Sequence, residues 1–177
     1  MMSTDGRNVY FSNQFAISCG TVSLDVQRSK VLLIRYQRTG EYLLPKGRKD
    51  VDEALEQTAV RETFEETGVR VELLPVAIDT LATRPPFVGT AGCPAAITEP
   101  IAVTQRVTQD VLKIIFWYVA MADSTTPREE GTQQEGEEFD TVWVGFDRVG
   151  STLSFDDDRL VSQAAIAAAR ANVTTAS

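Results

Sequence analysis

Three glutamates, Glu62, Glu65 and Glu66, stand at i, i+3 and i+4 in a stretch with no glycine or proline between residues 53 and 67. On a helix this spacing puts the three carboxylates on one face, a few ångströms apart. Like charges placed so close cost roughly a few tenths of a kcal/mol per pair and disfavour the ionised form of each acid. A hard divalent cation removes the conflict. Oxygen-only donors suit Mg²⁺ or Mn²⁺, and Mg²⁺ takes one or two carboxylates and completes its octahedron with waters and substrate phosphates. The chemistry such a face could do is metal-assisted hydrolysis of a phosphoanhydride. Three glutamates alone read more simply as a solvated helix face, so the weight falls on what surrounds them.

Around them, Gly47, Glu53, Arg61 and Gly68 complete a set of seven fixed positions, whose chance coincidence is on the order of 10⁻⁸ per starting site. Gly47 to Val69 reads GRKDVDEALEQTAVRETFEETGV. It resembles the Nudix box, Gx5Ex7REUxEExGU with U aliphatic, at every charged and glycine position. It departs at Thr63, a U position whose role is packing. The resemblance implies that Glu62 and Glu66 are principal metal ligands for Mg²⁺ or Mn²⁺, and that Glu65 is a further ligand or the general base for the attacking water. It also implies that Arg61 orients the acids by hydrogen bonding, that Glu53 is an outer ligand or steadies the helix start, and that the carbonyl of Lys46 is an additional ligand.

Outside the box, Glu135, Glu137 and Glu138 read as an exposed acidic loop, although in several Nudix enzymes a loop here supplies another ligand or base. Asp156, Asp157 and Asp158 read as the cap and first turn of a last helix, where carboxylates satisfy free N–H groups. Five cations, Arg35, Arg38, Lys46, Arg48 and Lys49, cluster in sequence near the glutamates of a chain with net charge −8. Arginine forks onto phosphate oxygens and lysine acts as a point charge, so these five are the candidate substrate-binding residues for a densely phosphorylated small molecule. LPKG, ending at Gly47, resembles the Nudix subgroup that hydrolyses diadenosine polyphosphates and diphosphoinositol polyphosphates. Two alternatives stay open: a nucleotide-sugar (ADP-ribose type) or nucleoside triphosphate pyrophosphatase, and a Nudix-fold protein that binds without hydrolysis.

The elements that must position these residues follow from periodicity. Residues 15–24 and 30–36 predict two strands of a hairpin, 41–45 a short third strand, and 46–52 a polar loop. Asp52 is the expected N-cap of the helix that Gly68 ends. Strands are expected at 69–80, at 111–122 as the buried central strand, and at 141–146, with long loops at 81–109 and 124–138. A helix is expected at 156–171 with Leu160, Ala164, Ala167 and Ala168 on one side. The order predicts an α/β sandwich with a mixed sheet, as one domain over residues 1–177, and the resemblance implies that it is a Nudix-type α/β/α sandwich.

Composition narrows function further. The chain has no histidine, which excludes Ser-His-Asp and Cys-His catalysis and the HExxH zinc site. Cys19 and Cys93 are too few for a disulfide framework or a cysteine zinc cluster, though a single bridge stays open. The negative charge argues against general nucleic-acid binding. No segment is apolar enough for a signal peptide or a membrane span, so the expectation is a cytoplasmic protein, a secreted one with its signal removed being the alternative. Oligomeric state is left open.

Overall fold

The computed structural model describes residues 8–83 and 96–175. Its elements are β1 (Phe15–Asp25), β2 (Lys30–Tyr36), β3 (Tyr42–Leu43), β4 (Lys46–Arg48), α1 (Leu55–Thr67), β5 (Glu72–Leu73), β6 (Ala102–Thr108), β7 (Val111–Met121), β8 (Phe139–Gly145), α2 (Val149–Thr152) and α3 (Asp156–Thr175). β1 is the hub. It runs parallel to β7 from Phe15 opposite Leu112 to Leu24 opposite Met121, and antiparallel to β4 through Ser18–Gly20. Its far end turns through the expected hairpin into β2, which carries β3 and β8, while β7 carries β5 and β6.

Alternation along β1 and β7 divides the core between two helical layers. Cys19, Thr21 and Ser23 of β1 and Tyr118 of β7 face α1, meeting Ala59 and Thr63. Val22 and Leu24, with Ile115, Trp117 and Val119, face α3 and its Val161, Ala165, Ile166 and Ala169. Burying a large side chain of this kind contributes about 1.5–3 kcal/mol, so the two faces hold both helices on one sheet. The architecture is the α/β/α sandwich with a mixed sheet.

Several expected elements are corrected. The helix cap is Ala54, whose side chain makes no cap bond, and Asp52 lies outside the helix at φ +61. Glu53 causes this: its carboxylate accepts the Asp50 N–H and a turn closes from the Glu53 N–H to the Asp50 carbonyl, which forces Asp52 left-handed. The predicted strand at 69–80 shrinks to β5 and a bridge from Val76 to Ile97, because Pro75 has no N–H to continue a ladder. The polar loop at 46–52 begins as β4.

The expected loop at 81–109 ends in β6, seven residues antiparallel to β7; residues 84–95, including Cys93, lie outside the described residues. The β6–β7 turn is made by Gln109 and Asp110, both at positive φ, without the glycine that usually announces such a turn. In α3 the expected face is the wrong one. Leu160 is 67% exposed, and the buried stripe runs Asp158, Val161, Ser162, Ala165, Ile166, Ala169. The stripe begins on an acid because Asp158 is tied down: its Oδ2 accepts the Leu44 N–H at 3.3 Å. No helix among the described residues is long and apolar enough to cross a membrane.

Candidate active site

The site is assembled where α1 meets the outer edge of β4. Thr21 donates to the Pro45 carbonyl and Lys49 to the Ile17 carbonyl, so along this antiparallel pair the alternate residues, Lys46 and Arg48, turn their backbone groups away from β1 and toward α1. The Lys46 N–H donates to Glu66 Oε2 at 2.8 Å, and the Arg48 carbonyl accepts from Arg61 at 2.9 Å. The Lys46 carbonyl leaves the strand on the same side and accepts no hydrogen bond from a described side chain. Gly47 lets the helix come this close. A Cβ there would overlap the Glu62 carboxylate.

Arg61 is the organiser. It donates to both oxygens of Glu53 (2.7 and 2.8 Å), to Glu62 at 2.8 Å and to Glu65 at 3.1 Å. Its hydrogen bonds hold the Glu53 carboxyl down at about 2, against burial and with help from Thr58, and the Arg61 pKa rises in return. Glu62 and Glu66 behave oppositely. Burial pushes both upward, Glu66 to about 8 despite the nearby Lys46, with Glu137 adding repulsion to each. Glu66 is 5% exposed and Glu62 6%. Glu65 is more open, its side chain 25% exposed, and accepts Arg61 and the Gln134 amide.

The far end of α1 is closed by residues that sequence reasoning passed over. A helix leaves its last carbonyls without partners. Here Phe64 receives the Gly68 N–H, Glu65 the Thr132 hydroxyl, Glu66 the Gln133 amide and Thr67 the Thr141 hydroxyl. Gly68 turns left-handed at φ +70, and a Cβ there would strike the Glu129 backbone. The 124–138 loop is therefore the C-terminal clamp of the glutamate helix. Within it Glu137 lies near enough to raise Glu62 and Glu66, Glu138 pairs with Arg38, and Glu135 is exposed.

The five candidate cations are dispersed. Arg35 pairs with Asp140 at 3.3 Å and Arg38 with Glu138 at 3.0 Å, both joining β2 to the β8 side. Lys49 bonds the Asp50 carbonyl. The side chains of Lys46 and Arg48 lie on the sheet face turned from Gly47, beside Arg106 and Lys113. Asp156–Asp158 open α3 as expected, Asp157 and Asp158 also holding Arg106. At Thr63, fully buried, the hydroxyl bonds the Ala59 carbonyl and Thr21, which satisfies a polar group at an aliphatic position of the box.

Among the described residues no three acids converge as a ready-made metal cage, since Glu62 and Glu65 each give an oxygen to Arg61. The donor set nevertheless fits Mg²⁺ or Mn²⁺, which need only one or two carboxylates. Two buried acids with raised pKa values and a carbonyl that accepts no hydrogen bond from a described side chain are an all-oxygen set short of positive charge.

Known proteins resemble this chain in sequence and in fold. The family model described as NUDIX domain matches residues 15–164. Nudix hydrolase 21, chloroplastic, of Arabidopsis thaliana is 51% identical over 45 residues, 25% of this chain and 23% of that protein. Nudix hydrolase 4 of the same plant is 44% identical over 50 residues, 28% and 24%. The chain thus spans about a quarter of the length of the curated relatives it matches. Among solved structures, a C. elegans Ap4A hydrolase binary complex has TM-score 0.61 at 13% identity, covering 89% of this chain and 98% of that one. A MutT NUDIX hydrolase from Burkholderia pseudomallei has TM-score 0.54 at 20% identity, covering 85% and 97%.

Proposed function

This chain belongs to the Nudix family, and on that premise we propose that it is a metal-dependent pyrophosphohydrolase whose substrate is a small, highly phosphorylated molecule, a diphosphoinositol polyphosphate or a diadenosine polyphosphate. The observation that carries the hydrolytic reading is Glu66. It is almost wholly buried, receives the Lys46 N–H, and sits beside a second buried acid, Glu62. Keeping two such groups apart from water costs stability, and a bound cation offsets the cost.

Glu62, Glu66 and the Lys46 carbonyl would hold Mg²⁺ or Mn²⁺, which when bound polarises a phosphoryl oxygen and acidifies a water. Glu65, the most open of the three acids, would take the proton of the attacking water. Arg61 would bridge and aim Glu62 and Glu65 through one guanidinium nitrogen, and Glu53 holds Arg61 in turn. The 124–138 clamp fixes the carbonyl end of the helix, so the acids cannot drift with a fraying turn.

The substrate reading rests on cations rather than on relatives. The C. elegans neighbour is an Ap4A hydrolase, but at 13% identity it lends only its fold. Lys46 and Arg48, next to the site and with no carboxylate among the described residues at ion-pair distance, favour a ligand with several phosphates over one with a single diphosphate. The test is hydrolysis at fixed ionic strength of diphosphoinositol polyphosphate, diadenosine polyphosphate, ADP-ribose and a nucleoside triphosphate, each with Mg²⁺ and with excess chelator. Expected is a higher kcat/KM for the first two and loss of all turnover in chelator. Full activity in chelator eliminates the mechanism, and a clear preference for ADP-ribose replaces the substrate.

A further inference from the structure

Residues directly opposed in neighbouring strands share a face of the sheet. Across β4, β1, β7 and β6, one row holds Arg48, Ser18, Ile115 and Thr104, and the next brings Lys113 of β7 opposite Arg106 of β6. All of these but Thr104, with Lys46, Gly47 and Thr108, line a cleft of about 240 Å³ on the sheet face turned from α1. Four cations meet here in a chain of net charge −8.

Two features show that positive charge in the cleft exceeds negative. Arg106 and Lys113 are like charges directly across a strand pair, an arrangement that costs stability. Arg106 is compensated by Asp157 at 2.8 Å and Asp158 at 3.4 Å, yet no carboxylate among the described residues lies within ion-pair distance of Lys46, Arg48 or Lys113. In the wall between them Ser18 is 6% exposed, and its hydroxyl makes no hydrogen bond to a described residue. From β4 to β6 the cleft crosses three inter-strand spacings of about 4.8 Å, roughly 14 Å in all. A single phosphate cannot reach all four cations; a ligand bearing several can.

We propose that this cleft binds the phosphates of the substrate that are not being cleaved, with Lys113 and Arg106 joining Lys46 and Arg48 as the residues that select a polyphosphate. The proposal deepens the reading of Glu62 and Glu66 as a hydrolytic site and rests on it for the word substrate. Lys46 is the junction: its N–H holds Glu66 on one side of β4 while its side chain enters the cleft on the other. The scissile bond then lies over the strand edge and the remaining phosphates run across β1 and β7 toward β6.

The test separates binding from hydrolysis. Inorganic tripolyphosphate is titrated calorimetrically into the full chain in excess chelator, where no turnover interferes. Lys113→Gln weakens binding about tenfold, and Lys113→Gln with Arg48→Gln weakens it further. Lys30→Gln, the same charge change at the distant β1–β2 hairpin, leaves it unchanged. In kinetics with Mg²⁺, Lys113→Gln lowers the ratio of kcat/KM for the polyphosphate over ADP-ribose about tenfold, through KM rather than kcat. Arg106→Gln breaks contacts to α3 and is read only beside a thermal melt. Wild-type affinity in the double variant, equal weakening by Lys30→Gln, or no binding by the wild-type chain each overturns the proposal. If no anhydride is hydrolysed while Lys113→Gln still weakens tripolyphosphate binding about tenfold, the anion cleft stands and the hydrolytic reading falls.

Discussion

Asp25, which ends β1, and Glu66, which meets the outer edge of β4, are both little exposed, 3% and 5%, and their acidities move in opposite directions. Burial raises both. At Asp25 it is overcome by donors: Oδ1 accepts the Arg28 N–H at 3.0 Å, and Oδ2 accepts the Arg28 guanidinium at 3.1 Å and the Ser124 N–H at 2.9 Å, leaving the pKa at about 2. Glu66 receives the Lys46 N–H and stands at about 8. At Asp25 the donors outweigh burial, whereas at Glu66 a stronger desolvation outweighs one donor and the nearby Lys46, and that balance separates an acid that stabilises the fold from one that burdens it. Asp25 ties the β1–β2 turn to the residues after β7. Glu66 ties α1 to β4 through the Lys46 N–H alone, too little to offset its burial, which is the physical reason for proposing chemistry there.

The largest effect that could break this contrast is on turnover. Glu66→Gln and Glu62→Gln each lower kcat by about 10² or more, the usual loss when a metal ligand or positioned acid is removed. Neither lowers the melting temperature, because an amide relieves the repulsion among Glu62, Glu66 and Glu137. Assays with saturating Mg²⁺ beside thermal melts check both halves. Near wild-type turnover, or a melt several degrees lower, puts Glu66 in the same class as Asp25.

The second effect is on stability alone. Asp25→Asn removes a charge bonded by Arg28 and Ser124 and costs about 2 kcal/mol at neutral pH, with kcat per folded molecule unchanged. The folded pKa of about 2 lies below the ordinary 3.8, so the carboxylate's contribution is complete above pH 4 and disappears as pH falls from 3.8 toward 2. Denaturant titrations at pH 7, 4 and 2.5 therefore show wild type and Asp25→Asn converging as acid is added. A constant gap across that range removes the pKa argument.

How legible each region was in the sequence follows the range of the forces that build it. The glutamate face of α1 was readable because i, i+3, i+4 spacing is a local consequence of the helical repeat, and Gly68 ended the helix where the sequence suggested. Asp25 was not singled out, since its donors come from a turn and from Ser124, 99 positions away. The basic cleft was half visible: Lys46 and Arg48 precede the helix in the chain, but Arg106 and Lys113 join them only through the register of β6, a strand hidden by a turn without glycine. The α3 face was misjudged because alanines surround the helix, and its orientation is set by Asp158 bonding Leu44 and Arg106, contacts that no periodicity reports.

The smallest effect concerns Thr63, where a satisfied polar group, like Asp25, lies one residue from the acidic cluster. Its hydroxyl has one proton, which goes to the Ala59 carbonyl at 2.8 Å, so Thr21 must donate to Thr63 across 2.8 Å, and Ser23 in turn to Thr21 across 2.6 Å. Thr63→Val keeps the shape and restores the aliphatic character of the box, but it leaves the Thr21 proton without its acceptor. Re-aiming that proton to Ser23 only moves the vacancy one residue along, so the cost is about 1 kcal/mol, that of one unmade buried hydrogen bond. Adding Thr21→Val removes the stranded donor, and the pair then costs less than the sum of the two single changes by about 0.5 kcal/mol or more. The position of α1 on β1 does not change, so kcat/KM stays within about twofold of wild type. Denaturant melts of the four proteins of the cycle, with kinetics on each, decide the matter. Additive costs would mean that the three hydroxyls do not act as one chain, and a large fall in kcat would mean that Thr63 sets the aim of Glu62 rather than the packing of the helix.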